Sequence, residues 1–523
     1  MSKFHSLVQL VHSMTMAEKK AFRIRSFRKK NLPDYLVLYE TIAQHPTLPP
    51  EEIKAIFFSE RPVATFETCV KYLLDQLLDT MHELRRDQDS FYMLFNKILK
   101  ARILYEKSLF DECFELLNIA MLQAEKYENF YALLLAERLE LEYLLALNFP
   151  NLSEKEILKK QYRITETINY LRKINEQSSL YEILKHRVVY KGYARSQKQK
   201  NELNDLIFSE LSIVASFAPE NFEISKLHQL FQSNYLISVG DYKSALRSFY
   251  ELNNLFETNK HLWSTPPVYY LHTLEGVLES LRSIRNYEGM TYFIEQITKI
   301  NTTSADFRIN LTCISFLYGL FPLIDQGDFV AAARLKATYQ EILYDKMNLL
   351  SRARQAELTL YTTLIYFGND HFHKAHKFLS QIIIQGKNYY YLPLYRTIRL
   401  VNLMILYQLG DFDLIRYEIR SVKRILSGTE IGYKIEHLLL RFFLKPLPIL
   451  IKDRRKLWLK INRELVEIKK DIFEQQVLRI FDFTAWIESQ LLQISLADVL
   501  KAKTKIPEAE LLQDQGGDNN ILL

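Results

Sequence analysis

The chain has 523 residues with only 13 glycines and 14 prolines, 48% apolar and 25% charged side chains, and a formal charge of +6. So few turn residues exclude a sheet protein and glycine-rich phosphate loops, while the apolar content excludes a disordered chain. Three scattered cysteines (Cys69, Cys113 and Cys313) in no C-x-x-C pair exclude a disulfide framework or thiolate zinc site and, with no leader-like start, predict a cytoplasmic all-α protein.

Residues 1–100 read as a helical N-terminal module. Thr15 and Glu18 fit a capping box, "LPPEEIKAIF" starts a helix at a proline pair, and Thr65 to Arg86 forms one amphipathic helix. The buried side of that helix is predicted to carry Phe66, Val70, Leu73, Leu74, Leu77, Leu78 and Met81. Residues 1–35 hold eight Lys/Arg and two Asp/Glu, which leaves sixty of each sign elsewhere, so the whole net charge sits in this short stretch. Lys19, Lys20, Arg23, Arg25, Arg28, Lys29 and Lys30, interleaved with Phe22, Ile24 and Phe27, are the candidate anion or nucleic-acid contacts. A solvated helix face with its phenylalanines turned inward is the competing and favoured reading.

Residues 101–445 carry a repeat. In "VGDYKSALRSFYEL" a helix ends at Gly240, Asp241 caps the next one, and Tyr242, Ala245, Leu246 and Phe249 form one apolar stripe. Aligned on the aromatic after the turn, the same grammar returns at Phe110, Tyr287, Phe329, Phe372 and Phe412, with apolar residues three positions on. Seven positions on, Lys336 is the one exception. The last five anchors are spaced 45, 42, 43 and 40 residues apart, and the 132 residues from Phe110 to Tyr242 make three such periods, with turns expected near Asn148 and Gly192. A fixed period predicts an α-solenoid of about seven to eight antiparallel hairpins with a period of about 42 residues. Its turn "GDYKSALRSF" resembles that of a tetratricopeptide repeat with lengthened helices. "LVQLVHSMTMAEKKAFRI" and "ARILYEKSLFDECFELLNIAMLQAEKYENF" resemble a family of uncharacterised bacterial helical-repeat proteins, which implies a layout of N-terminal module plus array but no activity. Ile309 to Ile324 is uncharged but short and interrupted, hence a buried helix rather than a membrane span. Residues 446–502 read as long helices capping the last repeat, and 503–523 as a disordered tail.

No catalytic constellation stands out. His371, His373 and His376 fall in a repeat turn, Lys185 to Lys200 reads as a basic loop, and the tyrosines of "NYYYLPLY" as joint filling. The predicted function is a non-catalytic interaction scaffold, without cofactor or metal, that binds an unknown protein or peptide and no membrane. Its concave face would present Asn234, His272, Glu275, Glu279, Arg282, Thr363, Tyr366, Tyr407 and Gln408. The alternative is a nucleic-acid-associated regulator acting through the basic segment.

Overall fold

The structure, a computed structural model, describes residues 3–26, 33–46, 48–62, 65–86, 89–215, 221–427 and 433–504. Contacts divide it into two units, Met1–Ile174 with Thr302–Ala305, and Asn175–Asn301 with Asp306–Leu523. Every regular element among the described residues is helical.

The first unit opens with α1 (Lys3–Ser13), α2 (Met16–Ser26), α3 (Asp34–Gln44), α4 (Pro50–Glu60) and α5 (Phe66–Arg85). These five surround their own core, which includes Leu7, Phe22, Tyr39, Phe57, Leu73 and Leu77. The capping box forms, with Thr15 N donating to Glu18 Oε2 at 2.8 Å and Glu18 N to Thr15 Oγ1 at 3.2 Å. On α5 the apolar stripe is narrower than predicted, because Leu78 is half exposed. A second core, with Leu94, Ile98, Cys113 and Leu117, lies between α6 (Ser90–Glu106), α7 (Phe110–Lys126) and α8 (Phe130–Ala146). Then comes α9 (Glu154–Lys191), which continues into the second unit.

The second unit adds α10 (Gln197–Asn201), α11 (Asn204–Ala215), α12 (Phe222–Ser238), α13 (Tyr242–Thr258), α14 (Val268–Ser283), α15 (Tyr287–Thr298), α16 (Ala305–Asp325) and α17 (Phe329–Thr338). It continues with α18 (Arg352–Gly368), α19 (Phe372–Ile384), α20 (Leu394–Leu409), α21 (Phe412–Ser427) and α22 (Lys434–Phe442). Last come α23 (Ile451–Lys470), α24 (Ile472–Leu478), α25 (Phe483–Leu492) and α26 (Leu496–Thr504). By length and composition α16 could cross a membrane, yet 67% of its apolar window is buried inside the protein.

One turn chemistry makes the hairpins. Phe110, Tyr242, Tyr287, Phe329, Phe372 and Phe412 are each the first residue of a helix, and Phe130 is another. Two positions earlier the backbone is left-handed every time, at Ser108, Gly240, Arg285, Gly327, Asp370, Gly410 and Glu128. The next amide then bonds a carbonyl five residues back, as Asp241 N does to Leu236 O at 2.9 Å and Asn286 N to Leu281 O at 2.9 Å. This satisfies the orphan carbonyls of the finished helix. At five of these turns the same residue starts the new helix: Asn129, Asp241, Asn286, Asp328 and Asp411 accept from an amide three positions on. The stripe is also real. Cys113, Ala245, Met290, Ala332, Ala375 and Ile415 are all buried, and the exception Lys336 lays its ammonium 4.4 Å from the Tyr344 ring centre.

Three expectations change. Turns do occur near Asn148 and Gly192, but between them one 38-residue helix, α9, stands where the period predicts two helices and a connection. No glycine or proline interrupts those residues, so nothing in the local chemistry breaks the helix. The C-terminal helices are mostly short, and they run back over earlier turns instead of only sealing the last hairpin. Gln476 and Ile472 approach Gly240, Ala497 O lies 2.7 Å from where a Gly327 Cβ would be, and Trp486 packs on Tyr407, Phe442 and Phe443. The proposed tail begins inside α26, where Lys503 Nζ bonds Asp482 Oδ2 at 2.9 Å; residues 505–523 lie outside the described residues.

Candidate binding face

Five of the nine concave-face candidates converge. Glu275, Glu279 and Arg282 recur at helical spacing on one side of α14, next to His272 and near Asn234 of α12. Each charged member is already paired. Glu275 accepts from Arg354 of α18, whose Nη1 also reaches Glu357 Oε2 at 2.7 Å. Glu279 pairs with Arg479 Nη2 at 2.6 Å, and Arg479 Nη1 donates to Ser283 Oγ at 2.8 Å. Arg282 clamps Asp325 with Nη2 at 3.0 Å and Nε at 3.1 Å, while Nη1 donates to Tyr361 Oη at 3.0 Å. Its guanidinium carbon also stands 3.7 Å from the Phe321 ring centre. Through these pairs α14 touches α18 directly.

Burial governs ionisation in the cluster. It pushes Glu275 up, but Arg354, His272 and Lys185 overcome it and hold that carboxyl below the usual range. Glu357 shows the opposite balance, its burial outweighing Arg354 and raising it. Burial, reinforced by Lys185 and Arg354, lowers His272 to about 4, so the imidazole is neutral near pH 7. Lys185, Arg282, Arg354 and Arg479 face Glu275, Glu279, Asp325 and Glu357, and the cluster is nearly balanced in charge.

A segment of the chain itself lies on this face. Lys185 of α9 donates to Asn234 Oδ1 at 2.8 Å. The helix then ends at Gly192, left-handed at φ 78, where a Cβ would sit 3.2 Å from Pro393 Cβ. Beyond it the chain bends at Tyr193 and runs without regular structure until α10. Ala194 N donates to Ser238 O of α12 at 2.9 Å, and Ala194 O accepts from Gln476 Nε2 of α24 at 3.0 Å. Tyr193 is recessed beside Glu279 and Arg479. Arg195 lies over the Tyr433 ring, 5.1 Å from its centre, and near Glu436. Sequence reasoning missed Tyr193, Arg354 and Arg479 because these contacts join distant positions (282 residues separate Ala194 from Gln476). The only local signal was a glycine ending a long helix.

The other candidates are placed differently. Thr363 is fully buried, donating to Thr359 O at 2.8 Å, and Tyr407 lies among Phe412, Phe442 and Trp486 with its hydroxyl on Lys445 O at 3.0 Å. Both pack the core rather than meeting a partner, because α18 and α20 are enclosed on nearly all sides. Tyr366 and Gln408 keep partial exposure, Tyr366 against Phe378. In the basic segment Phe22 is buried as expected, but Ile24 points outward. Arg23 pairs with Glu40 at 3.3 Å and Arg25 with Glu83 at 2.9 Å; Lys19 is half-buried and Lys20 exposed. Phe27, Arg28, Lys29 and Lys30 lie outside the described residues. In the second basic stretch Lys185 and Arg195 turn inward and Arg187 forks onto Asp205 at 2.6 and 2.8 Å, which leaves little of an anion-binding rim. In "NYYYLPLY" Tyr389 and Tyr395 are buried, while Tyr390 and Tyr391 are exposed. No group of His, Cys, Asp and Glu able to hold a metal occurs among the described residues. No protein-family model, curated protein or solved structure matches the chain.

Proposed function

We propose that this protein is a non-catalytic interaction scaffold, a tetratricopeptide-like α-solenoid whose first helices receive a peptide or partner protein. The observation that supports the reading is the hold on Ala194. The backbone of a non-helical stretch is gripped by a carbonyl of α12 and a side chain of α24, with an aromatic and a cation settled to either side. That is how peptide grooves bind, main chain for affinity and side-chain pockets for specificity. The charged groups around it neutralise one another in pairs, an arrangement suited to fixing geometry rather than to moving protons. The nucleic-acid reading draws less support, since Arg23 and Arg25 are turned to acids of their own module.

The test is affinity capture of the tagged full chain from cells of its source organism, with and without nuclease. A stoichiometric protein partner retained after nuclease treatment is expected. Loss of all co-purifying protein on nuclease treatment would reverse the order of the two readings.

A further inference from the structure

We propose that Gly192–Ser196 is a built-in stand-in for the partner, so the face recognises a non-helical protein segment with an aromatic and a cation flanking a small residue. A partner then binds by displacing this stretch. The inference rests on the scaffold reading and adds to it the chemistry of what is bound and the step that admits it.

Three observations carry it. The first is the mode of holding: both hydrogen-bonding groups of Ala194 are taken by other elements, α12 and α24, and none by its own neighbours. On either side the bonds are local, Gly192 N to Val188 O and Arg195 N to Gln199 Oε1, so Ala194 is the one point held from outside by its backbone. The second is the way in. Gly192 closes α9 in a left-handed conformation, and α10 starts afresh at Gln197 with Ser196 as its cap, so the stretch between is hinged at both ends. The third is incompleteness. Buried polar atoms of the face with no hydrogen bond lie near the segment: Tyr242 Oη by Tyr193, His272 Nδ1 by the neighbouring Glu275, and both Nε and Nη1 of Arg396, which shares Glu436 with Arg195. Arg396 spends only Nη2, on Glu436. The face therefore offers more hydrogen-bonding capacity than its resident uses, and unmade bonds of this kind favour a ligand that completes them. An intramolecular occupant also enjoys a high effective concentration, so an external segment gains access only by making better contacts or when the resident is weakened.

The probe is a fluorescent peptide with the sequence of residues 190–198, YKGYARSQK. Its binding is measured by anisotropy to the full-length natural chain and to the Tyr193→Ala/Arg195→Ala variant, whose fold is checked by circular dichroism. The variant is expected to bind at least about tenfold more tightly, as a larger fraction of its faces is open. A peptide with alanine at the positions of Tyr193 and Arg195 should lose this binding. If the double variant does not fold, Arg195→Ala alone, which weakens the resident and leaves the face intact, takes its place with the same expected direction. Amide exchange supplies the second readout: Ala194 N–H is protected in the free protein and should lose protection when the probe is bound. Equal binding to both proteins, binding to neither, or binding that leaves Ala194 protected overturns the proposal. A captured protein partner that leaves Ala194 protected sinks this inference alone and spares the scaffold reading. Absence of any partner sinks the scaffold reading.

Discussion

Gly327 and Gly410 share a left-handed backbone, at φ 75 in each, but not an environment. A Cβ on Gly410 would meet nothing within 4 Å, whereas on Gly327 it would stand 2.7 Å from Ala497 O and 3.0 Å from Ala497 Cα. Gly410→Ala should therefore cost only the conformational strain, about 1 kcal/mol. Gly327→Ala should cost about 1–3 kcal/mol more, because backbone of α26 must retreat. Denaturant midpoints at unchanged slope would read the difference. Both glycines were legible in the sequence as turn residues; that one of them is also a contact was not, since α26 lies far along the chain. His272 makes a second prediction at this scale. Its ordinary value of 6.5 falls to about 4 in the folded protein, so between those pH values the unfolded chain takes up a proton that the folded one refuses. Stability is thus full above pH 6.5 and falls as pH drops toward 4, by up to about 3 kcal/mol at roughly 1.4 kcal/mol per tenfold change. Unfolding titrations at pH 7 and pH 5 should show this loss, and His272→Gln should flatten it.

The hairpins themselves were readable because their grammar is local. A left-handed residue, a capping side chain and an aromatic occupy three consecutive positions, and at Gly240, Gly327 and Gly410 composition alone marks them. Phe130 escaped notice since it follows Phe110 by 20 residues, about half the period, and the unbroken α9 escaped because a period says where turns are affordable, not where they form. Packing between consecutive hairpins was not legible at all. Gly276, inside α14, looks like a weak point in a helix, yet a Cβ there would fall 2.2 Å from the Phe249 ring of α13, and Gly368 relates to Phe329 in the same way. Glycine lets an aromatic of the preceding helix lie against the backbone. Gly276→Ala should destabilise by about 1–3 kcal/mol. Pairing it with Phe249→Leu should return part of that loss, and a double-mutant cycle would measure the coupling.

Across the second unit, the candidate face was half visible beforehand. Counting back from the turns found Glu275, Glu279 and Arg282, but not that Arg354 and Arg479 come to meet them, because no pattern in one stretch announces a partner about 80 or 200 residues away. Arg479 binds the returning C-terminal helices to α14 through Glu279 and Ser283, and it covers the Tyr242 ring at 4.9 Å. Arg479→Ala should cost about 3–5 kcal/mol by stranding a recessed carboxylate, while Arg479→Met with Glu279→Leu should cost much less. Thermal unfolding of the single and double variants would separate these outcomes. The shared turn has one more consequence. Ser108, Glu128, Arg285 and Asp370 hold the left-handed position without being glycine, each against a penalty of about 1 kcal/mol. Natural chains commonly stop improving once they are stable enough, and here the unspent improvement has an address. Glycine at those four sites should give a hardier protein with its binding chemistry untouched, so heat tolerance and recognition could be engineered separately.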